Sequence, residues 1–234
     1  MKFLPPTASP VPADFVGIFT TPSHLAVPKT IQAGMPWAGD NEAFTKGWDN
    51  GRYFHWLKTM EPYKDNCLFL SVPDIVANAK STSLMWYEWA SHFESWPVAL
   101  VAQDGATADE LGVWGCFDDP DDDTEMYLTE PEYWDTFSKS RGFIPWRDFD
   151  CLFIGGSLNW KLSDAAIDCI KPAQKAGKHI HIGRVNHWKR YKQFAMIRGS
   201  EHFTCDGTRP RHDGLENSLK AWAAYQKRTV LQIY

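Results

Sequence analysis

The run Val98-Ala99-Leu100-Val101-Ala102-Gln103-Asp104-Gly105 is apolar without a break for five residues and then turns polar at a glycine. A short continuous apolar stretch closed by a turn is the pattern of a strand buried on both faces. The same pattern recurs at 15–19, 67–72, 151–154, 179–182 and 203–205, each rich in β-branched or aromatic residues. Between most of these runs lie segments long enough for helices, at 81–93, 163–176, 188–197 and 214–226. Regular alternation of strand and helix predicts a parallel sheet. Unusual polar residues follow many different strands rather than one, which favours a closed barrel over an open sheet. The expected fold is therefore an α/β (β/α)8 TIM-type barrel, in one domain over residues 1–234. An irregular insertion is expected around residues 106–148, and the proline-rich first dozen residues read as a loose leader.

With 44% apolar and 15% aromatic residues in 234, the chain can bury a large core. Pro5, Pro6, Pro10 and Pro12 interrupt the N-terminus before a signal-peptide core could form, and no run reaches the ~20 apolar residues of a membrane span. A soluble, cytoplasmic protein without membrane contact is expected. Five cysteines, odd in number and with no CxxC pair, read as reduced and mostly buried thiols. Charge is uneven beneath the net −5: residues 171–234 hold 13 Lys and Arg against 4 Asp and Glu. Such a basic third suggests a phosphate-facing surface, with an ordinary solvated surface as the plainer alternative. The acidic loop at 118–123 lacks the spacing of a calcium loop and reads as solvated.

Each strand end offers a group suited to chemistry. Asp40 sits in a tight turn after Gly39. Asp74 ends the run at 67–72, where a carboxylate could accept two hydrogen bonds from an amidine-like edge or simply cap a helix. Gln103 can both donate and accept, and Gly155-Gly156 can present bare backbone N–H groups. Asp206 closes the last strand before Gly207, at the end where barrels keep catalytic groups. The segment Arg184 to Lys192 mixes basic and aromatic residues in a pattern suited to a helix that tracks phosphates. His179 and His181 alternate onto one face, without the companion groups of a metal site. Trp86 and Trp89 read as a buried helix face.

Taken in order, Asp40-Asn41-Glu42-Ala43-Phe44, Ser71-Val72-Pro73-Asp74, Val101-Ala102-Gln103-Asp104-Gly105, Phe153-Ile154-Gly155-Gly156-Ser157 and Phe203-Thr204-Cys205-Asp206-Gly207-Thr208 resemble the queuine/archaeosine guanine transglycosylase family over about residues 15–208. The short, phage-associated branch acting on DNA is the nearest in pattern. The resemblance implies Asp206 as nucleophile, Asp40 as acid/base, and Asp74, Gln103, Gly155 and Gly156 as binders of the base, with Phe44 helping to exclude water. It implies guanine in DNA exchanged for a 7-deazaguanine such as preQ0, with Arg184, Lys189, Arg190, Lys192, Arg209 and Arg211 holding the backbone. The family's CxCxxC zinc element has no counterpart, so no metal and no cofactor are expected. Exchange in tRNA, or a barrel that binds nucleic acid without catalysis, are the alternatives.

Overall fold

The computed structural model describes residues 1–6, 17–24, 26–107, 148–207, 217 and 220. Eight strands pair in parallel throughout: β1 (Lys2–Phe3), β2 (Ile18–Thr20), β3 (Trp37–Gly39), β4 (Cys67–Ser71), β5 (Val98–Ala102), β6 (Cys151–Ile154), β7 (His179–Ile182) and β8 (Thr204–Cys205). Their order in the sheet is β1-β8-β7-β6-β5-β4-β3-β2, so each strand lies beside its neighbour in sequence. The two ends of this sheet meet. Phe19 N–H donates to Pro5 O at 2.9 Å, and Pro6 forms a parallel bridge with Phe19. The result is the α/β barrel expected from the alternation.

The strands are short and almost wholly buried, because one face fills the barrel and the other carries the helices. Leu4, Phe19, Ala38, Phe69, Ala99, Val101, Cys151 and Phe153 form the inner cluster. The outer cluster joins Ile18, Trp37, Leu70, Leu100, Leu152 and Ile180 to the helices. Those helices are α1 (Lys29–Gln32), α2 (Ala43–Lys46), α3 (Asn50–Met60), α4 (Ala79–Trp89), α5 (Leu158–Lys161), α6 (Asp164–Lys175) and α7 (Trp188–Ala195). Four start where a short polar side chain accepts an otherwise unpaired N–H: Asp49 before α3, Asn78 before α4, Ser157 before α5 and Ser163 before α6.

Two expectations need correction. The first residues are not a loose leader: Lys2 and Leu4 N–H groups donate to Phe203 O and Cys205 O at 2.7 Å, and Leu4 is fully buried. Trp37-Ala38-Gly39, absent from the runs read as strands, forms β3. Trp37 is buried, its indole N–H donating to Tyr63 O at 2.9 Å, and a side chain at Gly39 would collide with Leu70 and Trp56. Most of the expected insertion, the acidic loop and the helix at 214–226 lie outside the described residues. Of the tryptophan pair on α4, Trp86 is buried and Trp89 half-buried. Cys151, Cys169 and Cys205 are buried free thiols, as expected, and Cys67 is half-buried. No helix among the described residues is long and apolar enough to cross a membrane.

Candidate active site

Parallel strands all end at the same rim, so the residue after each strand faces a common space. Here that space is a pocket of about 470 Å³ including its open mouth, lined by Asp40, Asp74, Gln103, Gly155, Gly156, Arg184 and Asp206, with Phe19 and Phe153 as apolar walls. Residues from six strand ends, scattered over more than half the chain, thus converge. Asn41, Phe44, Val76, Val101 and Gly183 complete the lining.

Asp74 is not a helix cap, since α4 begins later and is capped by Asn78. Its buried carboxylate accepts from Asn41 Nδ2 at 2.7 Å and from Gln103 Nε2 at 2.5 Å. Burial raises the Asp74 pKa, and the Asn41 and Gln103 hydrogen bonds and the Arg184 charge pull the other way. Gln103 Oε1 in turn accepts the Ala77 N–H at 2.9 Å. Gln103 thus braces Asp74 from the pocket wall. Asn41 was missed in the sequence reading. It is buried, donates also to Val72 O at 2.9 Å and accepts the Ala43 N–H at 2.8 Å, and so ties the turn after β3 to the end of β4.

Asp40 projects from the end of β3, and among the described residues its carboxylate accepts only the Glu42 N–H, at 3.3 Å. Burial in the pocket, followed by the neighbouring charges of Asp206 and Asp74, pushes its pKa up to about 7. Asp206 is held differently. Its Oδ1 accepts the Arg184 N–H at 2.8 Å and meets His181 Nε2 at 3.2 Å. His181, fully buried in the barrel, is the second residue that the sequence reading left without a role. The alternation of β7 signalled that it shares a face with His179, but the partner on β8 left no pattern to read.

Arg184 closes one side of the mouth. Its backbone adopts φ +55°, its guanidinium donates to Gly156 O at 2.5 Å, and it stacks 3.9 Å above the ring of Phe44, which is otherwise exposed. The glycines after β6 are set by space: a Cβ on Gly155 would stand 2.7 Å from Val101, and one on Gly156 2.5 Å from Trp160. Asp104 pins this loop by accepting the Ser157 N–H at 2.6 Å and the Ser157 hydroxyl. Below the loop Lys161 is buried, donates to Gly183 O, and has its pKa lowered to about 7 by burial and by the Arg184 charge.

Two cations of the basic segment are engaged with the protein's own backbone. Arg184 is turned into the rim, and Arg190 Nη1 donates to Arg184 O at 3.0 Å. Lys192 is exposed on α7. The side chain of Lys189, and all of Arg209 and Arg211, lie outside the described residues.

No protein-family profile matches the chain, and no curated protein matches it. Solved structures do. A mandelate racemase/muconate lactonizing protein from Herpetosiphon aurantiacus aligns at a TM-score of 0.50 and 13% identity, over 90% of this chain and 54% of its own. A protein described as a mandelate racemase/muconate lactonizing enzyme, from Sorangium cellulosum, aligns at 0.47 and 14%, over 90% and 54%. L-Talarate dehydratase from Polaromonas sp. JS666, solved with Mg and L-glucarate, aligns at 0.38 and 11%, over 88% and 50%. The chain spans about half the length of these structures, and likeness at such identity speaks for the fold.

The resemblance to guanine transglycosylases is corrected by these findings: the structure that aligns over 90% of the chain at a TM-score of 0.50 is a mandelate racemase/muconate lactonizing protein, and no family profile matches the sequence. With it go guanine exchange in DNA or tRNA, the 7-deazaguanine base, and the nucleic-acid-binding barrel. The physical reason lies at the rim. Three carboxyl side chains around one guanidinium offer a polyanion no basic surface, and Arg184 and Arg190 donate to carbonyls of the protein itself. Among the described residues no three His, Cys, Asp or Glu side chains cluster as metal ligands.

Proposed function

We propose that this barrel is an enzyme of general acid–base chemistry on a small, uncharged polar molecule, with Asp40 as the proton donor and Asp206 as the base. The observation that carries the reading is the contrast between two carboxylates on one pocket. Asp40 holds its proton to about pH 7, whereas Asp206 is held through one oxygen by N–H donors. Two acids in one site with environments this different divide the roles of giving and taking a proton. Asp74, braced by Asn41 and Gln103, sets a fixed acceptor on the pocket wall, and Phe19 and Phe153 favour a flat ligand face against them. The Arg184–Phe44 stack covers the mouth and keeps the site dry.

The charge balance selects the ligand class. Asp40, Asp74 and Asp206 surround the single cation Arg184, and that cation is engaged by Gly156 O and Phe44. With Asp40 carrying its proton below about pH 7, an anionic substrate finds the one cation of the lining already engaged, whereas a neutral polyol, lactam or heterocycle needs none. The test is a thermal-shift screen that pairs neutral compounds with their carboxylated or phosphorylated analogues. Neutral members are expected to stabilise the protein, and a screen in which only anions do so overturns the reading. Hits are then incubated in deuterium oxide and followed by mass spectrometry. Asp206→Asn and Asp40→Asn should each slow deuterium incorporation by roughly 10²–10⁴-fold.

A further inference from the structure

The barrel interior holds a chain of polar groups that ends on Asp206. His179 Nε2 lies 2.7 Å from Thr204 Oγ1, Thr204 Oγ1 lies 2.9 Å from His181 Nδ1, and His181 Nε2 lies 3.2 Å from Asp206 Oδ1. We propose that Thr204 and His179 are positioning residues that lock His181 in its Nε2–H tautomer, so that it holds one oxygen of Asp206 and leaves the other to the pocket.

The assignment follows from counting donors. His181 is boxed by Phe19 at 5.1 Å, Phe69 at 5.0 Å and Phe153 at 4.6 Å between ring centroids, a setting that disfavours imidazolium. Its pKa is lowered by that burial, although the hydrogen bond and charge of Asp206 pull the other way. A neutral imidazole has one donor and one acceptor. An ionised carboxylate only accepts, so His181 Nε2 must carry the hydrogen and Nδ1 must be bare. Thr204 has a single hydroxyl hydrogen, and it goes to that bare Nδ1. The same oxygen must then accept from His179, so His179 is also the Nε2–H tautomer. His179 is disfavoured as a cation by burial and by His181, its pKa lowered to about 4, and it stays a neutral link at neutral pH.

Asp206 Oδ1 receives both the Arg184 N–H and the His181 N–H, whereas Oδ2 makes no hydrogen bond among the described residues. The lock therefore fixes the plane of the carboxylate and aims its free oxygen. If Asp206 took up a proton and donated it to His181, every link would have to reverse, so the state of Asp206 is written into the tautomer of His179. The catalytic meaning of the lock rests on the proposed role of Asp206, but the tautomers themselves do not.

The test is nitrogen-15 NMR of the histidines in the unliganded full chain at pH 7.5. Wild-type protein is expected to show both His179 and His181 protonated at Nε2 alone, and an Nδ1–H form of either overturns the proposal. Asp206→Asn should shift the ring nitrogens of both histidines. With Thr204→Val added, the His179 response should vanish while that of His181 remains, and Thr204→Ser in its place should restore the response. A His179 signal that ignores Asp206→Asn, or follows it equally without the threonine hydroxyl, sinks the lock. Since no turnover is measured, this failure is distinct from failure of the enzyme reading, which would appear as an Asp206→Asn protein with undiminished deuterium incorporation.

Discussion

Asp40 carries a consequence that needs no substrate. Its ordinary pKa is 3.8 and its folded value about 7, so between these limits the folded protein binds a proton that the unfolded chain has released. Stability with respect to this group is therefore present in acid and lost as pH rises toward and through 7. Asp40→Asn keeps the shape and removes the charge. The variant should melt at a higher temperature than wild type at pH 8, and the difference should shrink toward pH 5. A constant difference, or one that grows in acid, would show that Asp40 is not held protonated by its surroundings. Such a carboxylate could be found in the sequence because a glycine precedes it and an apolar stretch ends before it, as a proline announces Asp74 and a glycine follows Asp206. Asn41 could not be found in this way. Its amide works by turning back onto Asp74 and Val72, contacts made across 33 and 31 positions, and no local spacing encodes them.

At the scale of elements, the strand-to-helix turn after β6 shows how much of the pocket is backbone shape. Gly156 has φ +71°, and an added Cβ would meet Trp160 at 2.5 Å and Asp104 Oδ2 at 2.7 Å. Gly177, after α6, has a nearly equal φ of +68° but nothing within 4 Å. Alanine at Gly177 costs only the left-handed backbone, on the order of 1 kcal/mol. Alanine at Gly156 adds a collision with a ring and with the carboxylate that pins Ser157, so the loss should reach about 2–4 kcal/mol. Urea denaturation of the two variants measures the gap, and equal midpoints would mean that the β6 turn yields to a side chain. Elements with a clear period were readable: β5, β6 and β7 fall where the apolar runs stand, and α6 differs by one residue at each end from the expected helix. β3 was not, because Trp37-Ala38-Gly39 is three residues long and ends in glycine, too short to show a period and easily taken for the turn that follows.

For the molecule as a whole, the alternation of strands and helices was enough to predict a barrel, but closure depends on Pro5 and Pro6, which carry no pattern of their own, meeting Phe19. Charge misled for a related reason. Composition reports how many cations a stretch has and not which way they turn, and Arg184 and Arg190 turn inward. Closure also fixes what fills the barrel: Phe19, Phe69 and Phe153 with two imidazoles, where aliphatic side chains usually dominate. Histidines kept neutral in such an interior tie global stability to pH. His179 binds a proton at about 6.5 when unfolded and only near 4 when folded, so its contribution is intact above 6.5 and is lost as pH falls from there toward 4. His181 works in the same sense, and Asp40 and Asp74 in the opposite one, so the overall profile mixes these groups and a single variant separates them. His179→Gln retains an N–H donor for Thr204 and cannot become charged. At pH 8 it should be less stable than wild type, having lost the ring contact with Phe69. That deficit should narrow steadily between pH 6.5 and 4 as the wild type loses its own contribution. Guanidinium midpoints for both proteins over this range decide the matter, since a deficit independent of pH would mean that His179 titrates alike in the folded and unfolded chain.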